Sequence, residues 1–175
     1  MKRYIIFILL LLFVFTISGC SNDINSKPDT EPGMIGYVMD TDNGRILVVD
    51  PVTQDFSSTG GINEFYNAIW FTNVPDEVKA GDEVEVWFDV VQTSYPAQSE
   101  AEHIEIIQST KPSGADLNQS EALNRALSSD EIDTDWPTVV KAIDYNNQDD
   151  IWEIQVREAM SQENKIYNMK VDDKQ

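Results

Sequence analysis

The segment that most constrains the fold is Glu83–Val91, where Val84, Val86, Phe88 and Val90 alternate with Glu83, Glu85, Trp87 and Asp89. A period of two puts the apolar set on one face of an extended strand and the other set on the opposite face. Short apolar runs recur upstream and downstream: Met34–Met39, Arg45–Asp50, Asn63–Val74 (around Ala68, Ile69, Trp70 and Phe71) and His103–Gln108. Turn residues precede each run. Asn43 and Gly44 both tolerate the positive φ of a type I′ turn, so the first two runs read as a hairpin. Ala80, Gly81 and Asp82 form the turn that launches the fourth. Five short strands within roughly 75 residues predict a small barrel or sandwich. Their order favours a five-stranded OB-like β-barrel over residues 34–109.

Residues 110–116 are a linker by composition, after which a small α+β unit is expected over 117–175. Leu117–Leu127 reads as a helix capped by Asp116, with Gln119 completing a capping box and Ala122, Leu123, Ala126 and Leu127 as its apolar stripe. Thr138–Tyr145, Ile151–Arg157 and Lys165–Val171 read as three antiparallel strands, the first two joined by a polar turn from Asn146 to Asp150. The fold class expected is therefore mainly β with a small α+β part: an OB-like barrel, then one helix packed on about three strands. The second unit is too small to be robust alone and is expected to pack on the first.

The amino terminus carries an address. Lys2 and Arg3 precede a largely apolar run, Tyr4 to Ile17, and then Ser18, Gly19 and Cys20. That is the layout of a secretory signal peptide over 1–19. The run of roughly 14 residues is shorter than the ~20 a spanning helix needs. Ile17, Ser18, Gly19 and Cys20 resemble a lipobox, which implies cleavage before Cys20 and a diacylglyceryl thioether on its sulfur. The expectation is a lipid-anchored protein on the extracytoplasmic face of a cell membrane, with residues 20–33 as a lipidated flexible tether.

Charge and rare residues exclude several functions. Without the signal, ten basic side chains face 31 acidic ones, a formal charge of −21. No basic cluster survives to neutralise phosphates, so nucleic acid is not an expected partner. Docking of the folded part on anionic lipid is opposed for the same reason. Cys20 is the only cysteine and His103 the only histidine. Disulfides, thiolate metal sites and multi-histidine metal centres are therefore excluded, and no cofactor is expected.

The strand Gly81–Asp89, the loop Ser94–Gln98 and the closing strand His103–Ile107 resemble the YobA-like bacterial lipoproteins, whose shared domain has no assigned function. The likeness spans residues 34–109. It implies an exported lipoprotein with a small β domain and supplies no catalytic residue. Residues 117–171, a helix followed by a long hairpin ending in Trp152 to Val156 and a third strand, are similar to PepSY-type domains. That likeness implies a role in inhibiting or regulating peptidases at the cell surface.

Candidate chemistry is sparse. Asp40, Asp42 and Asn43 begin like a calcium loop. However, Gly44 falls at the fifth position and Pro51 at the twelfth, where an EF-hand needs glycine sixth and glutamate twelfth. Asp144, Asn146, Asp149 and Asp150 are weak candidates for a calcium site. His103, beside Glu102 and Glu105, has no serine in a nucleophile elbow to serve. The aromatics Tyr66, Trp70, Phe71, Trp87, Phe88 and Tyr95 matter more, because OB-like folds hold oligomers by stacking. Trp70 and Phe71 must point to opposite faces, so most of the six are expected in the core, with Trp70, Trp87 and Tyr95 as ligand-face candidates. The function expected is a non-enzymatic interaction module for an envelope protein, peptide or wall polymer. The alternative is a peptidase regulator acting through the second unit, and a hydrolase comes third.

Overall fold

The computed structural model describes residues 27–132, 135–160 and 165–174. The expected signal peptide, Cys20 and the first part of the tether lie outside the described residues. Among the described residues, the protein is mainly β with a single α-helix.

Strands β1 (Met34–Asp42), β2 (Arg45–Val49), β3 (Ala68–Thr72), β4 (Glu83–Trp87), β5 (Val91–Gln92), β6 (Ala97–Glu100) and β7 (His103–Ile106) form one seven-stranded sheet in the order β5-β6-β3-β2-β1-β4-β7. The β3–β6 ladder is parallel and the others are antiparallel. The first hairpin turns at Asn43 and Gly44, at φ 48° and 78°, as their chemistry dictates.

Two features depart from the expected five-stranded barrel. The strand count is seven, because Val91–Gln92 and Ala97–Glu100 pair as well. Gln98, Ser99 and Glu100 carry no apolar period, and they are extended because β3 offers a free edge to pair with. Also, the hydrogen-bonded ladder is not a closed ring. Its two flanks hold β6 and β7, with Ala101 and Glu102 between them in sequence. The alternation of the fourth strand also ends early. Val84 and Val86 are fully buried and Phe88 packs on the core, but Val90 is 72% exposed because the ladder stops at Trp87.

The sheet β1-β2-β3 is buried on both faces, which explains the uninterrupted apolar sequence of β2. Ile46, Val48, Ile69 and Phe71 join Val38, Val84 and Val86 in an inner core. Leu47, Val49 and Ala68, with Tyr66, face the other way and share a second core with Leu117, Leu123, Trp152 and Ile154 of the carboxy-terminal unit. Trp70 and Phe71 do point to opposite faces, Phe71 inward and Trp70 against the second core.

That second unit consists of α1 (Gln119–Leu127), β8 (Thr138–Asn146), β9 (Ile151–Glu158) and β10 (Ile166–Asp172), the strands ordered β10-β9-β8. The helix starts two residues later than expected. Asn118 rather than Asp116 is the cap: its side chain accepts from Glu121 N while the Glu121 carboxylate accepts from Asn118 N. Asp116 and Leu117 are held back from the helix because their own amides donate to the buried Asp173 carboxylate. Ala122, Leu123 and Ala126 form the buried stripe, and burying a side chain the size of Leu123 contributes ~2 kcal/mol.

Polar contacts fix how the units sit together. Asn124 Nδ2 donates to Ala80 O at 2.7 Å, Ser120 Oγ donates to Asp82, and Gln119 Nε2 donates to Tyr37 OH at 3.0 Å. Across the same interface Lys141 Nζ donates to Tyr66 OH at 2.8 Å, and the buried Arg157 pairs with Glu64.

Candidate functional site

A cleft of about 380 Å³ opens where the two units meet. Met39 and Asp40 of β1, Leu47 of β2 and Trp70 of β3 form one wall. Leu127 at the end of α1, with Ile132, Asp135 and Trp136, forms the other. Trp136 is 57% exposed, unusual for the largest apolar side chain.

A β-bulge aims one of the cleft's carboxylates. In the β1–β2 ladder Val38 pairs with Val48, but the next pair is Asp40 with Leu47, so Met39 is an extra residue. Residues opposite one another in a ladder share a face. The insertion therefore puts Asp40 on the outer face with Leu47. Strict alternation from Val38 would have turned its carboxylate into the inner core.

Trp70 also borders a neighbouring groove with Arg45, Val90 and Glu100. The Arg45 guanidinium lies 4.9 Å from the Trp70 ring centroid, a cation–π contact. Of the three ligand-face candidates, Trp70 is thus the one in the cleft. Tyr95 lines a smaller hollow of about 230 Å³ beside Phe65 and Phe88. Its hydroxyl donates to Tyr66 O at 3.3 Å, and burial pushes its pKa up to about 12. Trp87 is no ligand-face residue: it is 3% exposed. Sequence reasoning missed Trp136. Its signal was a lone tryptophan directly after the acidic stretch from Asp130 to Asp135, ahead of Pro137.

What buries Trp87 is the end of the expected tether. Its indole Nε1 donates to Thr30 O at 2.7 Å, and Lys27 Nζ sits 5.0 Å above its ring centroid. Lys27 is also bonded to Glu85 at 2.6 Å and Glu105 at 3.0 Å. These hydrogen bonds raise the Lys27 pKa above its ordinary value and hold Glu105 below the ordinary carboxylate value. His103 closes the cluster, with its ring 5.2 Å from Trp87 and Nε2 at 3.4 Å from Glu105. The sole histidine thus belongs to a structural clasp. Lys27 and Thr30, at the end of the expected tether, thus lie against the sheet. Lys27→Glu is expected to set three like charges together and to raise hydrogen exchange of the Trp87 indole N–H, which donates to Thr30 O, at least tenfold. Unchanged exchange there would show that the clasp does not hold the segment.

The weak calcium candidates do not converge on a cation. Asn146 Oδ1 accepts from Gln148 N and Asp149 N, Asn146 Nδ2 donates to Asp149, and Tyr145 OH donates to Asp150. These groups close a β-turn on one another. Among the described residues, no group of three or more acidic or histidine side chains is placed to hold a metal ion.

The architecture defines a mainly β chain with a helix-bearing second unit, and its first unit is similar to proteins without an assigned activity. Residues 35–108 match the family described as "Protein of unknown function (DUF3221)". The "Uncharacterized protein YobA" of Bacillus subtilis (strain 168) is 28% identical over 112 residues, covering 57% of this chain and 93% of that protein. A crystal structure of a yobA protein from the same species covers 47% of this chain and 100% of its own, with 18% identity and a TM-score of 0.32. The chain thus resembles the YobA-like uncharacterised proteins. The residues matched by the family, 35–108, end before α1, so that match includes one wall of the cleft and not the other.

Proposed function

We propose that this is a lipid-anchored, extracytoplasmic and non-enzymatic binding module, and that its partner engages the cleft between the two units. The observation that carries this reading is that Trp70 of the first unit and Trp136 of the second both line that cleft. Large aromatic faces left at a concave junction of two units are what recognition surfaces use.

The reading includes an OB-like first unit. Its support is the sheet order: β3-β2-β1-β4 is flanked by β6 on β3 and by β7 on β4, with two residues between β6 and β7. Taken as one bent strand, β6–β7 acts as the fifth strand of a partly open barrel. In such folds the face around the second and third strands takes the ligand. Here much of that face carries the carboxy-terminal unit, and the cleft is what that unit leaves uncovered.

The anchor reading rests on Lys2, Arg3, the apolar run and Cys20. Cys20→Ala is expected to release the protein from the membrane or leave it unprocessed. Normal cleavage with membrane retention would sink it. The binding reading is tested in cells with a photoreactive residue at position 136. It should give a discrete adduct with an envelope partner, and the same residue at position 149, in the β8–β9 turn, should not. If neither position yields an adduct, the cleft is not a binding site.

A further inference from the structure

The cleft's chemistry names the class of group it takes. Its walls carry two indole rings, the carboxylates of Asp40 and Asp135, and the aliphatic side chains of Met39, Leu47, Leu127 and Ile132, and among the described residues no lysine or arginine lines it. The same chain shows what such a set holds. At the Trp87 clasp a lysine ammonium lies over an indole ring while two carboxylates bond it at 2.6 and 3.0 Å. Arg45 stacks on Trp70 itself from the neighbouring groove. Cations are drawn to ring faces, and the attraction grows as water is excluded.

We infer that the cleft takes lysine or arginine side chains of a basic peptide segment on an envelope partner, an inference that rests on the cleft being the binding site. Charge complementarity selects this occupant. A chain of formal charge −21 without its signal steers cations towards it and repels anionic polymers. The apolar lining selects a side chain over a bare metal ion. Lysine and arginine lay a methylene stem along apolar surface while their heads reach rings and carboxylates. A hydrated divalent ion gains nothing from four aliphatic walls. The bulge at Met39 then has a use: it places the Asp40 carboxylate among these groups.

The test uses the full chain in a non-ionic detergent, reading the indole N–H signals of Trp70, Trp87, Trp136 and Trp152 by NMR. The probes are capped tetralysine, capped tetraglutamine and an N-acetylglucosamine tetramer. Tetralysine should shift Trp70 and Trp136 and leave Trp87 and the buried Trp152 in place. Its affinity should fall at least tenfold in Asp40→Asn/Asp135→Asn and by less than twofold in the charge-matched control Asp144→Asn/Asp149→Asn. Equal losses in both pairs would reduce the effect to general attraction by a polyanion and overturn the inference. If tetraglutamine or the sugar moves the two indoles and tetralysine does not, the cationic class is wrong while the cleft remains a binding site. Adducts from position 136 in cells, with no tetralysine shift in solution, would likewise remove the inference and leave the function standing.

Discussion

Gly81→Val is expected to destabilise the protein by about 3 kcal/mol or more, through two effects at one position. The backbone there has φ 93°, in the left-handed half of conformational space that β-branched side chains avoid. In addition, a Cβ would lie 2.5 Å from Ser120 O and 2.7 Å from Asn124 N, both backbone atoms of α1. Neither can rotate aside, so the turn or the helix must move. Moving the helix breaks the bonds from Asn124 to Ala80 O and from Ser120 to Asp82, and opens the core that the helix shares with Leu47 and Val49. Urea unfolding should show a lower midpoint, with the carboxy-terminal unit lost first. Gly81→Ala meets the same helix backbone with a smaller side chain and should lie between. A valine variant as stable as the parent would mean that the helix is not seated on this turn.

The second large effect is expected at Asp173, near the end of the described chain. Its carboxylate is buried and accepts hydrogen bonds from Asp116 N, Leu117 N and Trp152 Nε1. Burial alone would raise its pKa. The three donated bonds, with Lys111 nearby, outweigh burial and hold it below the ordinary carboxylate value. Asp173→Ala leaves three donors at a buried site without their acceptor and should cost about 3 kcal/mol or more at neutral pH. The sign of the pH dependence follows from the lowered value. Stability from this group is fully present above the unfolded carboxylate pKa of about 4 and is lost as pH falls through the depressed folded value. The gap between parent and variant, measured by urea unfolding, should therefore be widest near pH 7 and shrink below about pH 4. A gap that stayed constant down to pH 2 would show that the charge on Asp173 contributes nothing.

Both positions act at a junction between parts, and that is where sequence and structure part company. The strands themselves were legible. The expected runs at Met34, Arg45, Thr138, Ile151 and Lys165 reappear as β1, β2, β8, β9 and β10 with boundaries shifted by a few residues, because alternation and turn chemistry are local properties. The Asn43–Gly44 hairpin and the opposite facing of Trp70 and Phe71 are local in the same sense. The strand Ala97–Glu100 was not legible, since its extended state comes from pairing with β3. The helix cap moved from Asp116 to Asn118 because a carboxylate 57 residues away in sequence captured the Asp116 amide.

The candidate site was half legible, for a related reason. Trp70 stood out as an aromatic on a strand. Trp87 stood out equally, but it was assigned by strand face alone, and nothing local showed that Thr30 and Lys27 would cover that face. Trp136 joins Trp70 only through the packing of one unit on the other. Asp40 enters the cleft through a one-residue bulge whose position depends on the partner strand's register.

By itself, then, the sequence determined the mainly β character, the order of strands and helix, and the acidic composition. Each of these is set by composition or by periodicity within one segment. The tertiary structure decided which face of the β1-β2-β3 sheet would be buried a second time, which tryptophans would remain at the surface, and where a cleft would open between the units. Those outcomes depend on contacts between residues far apart in the chain, whose energies no single segment contains.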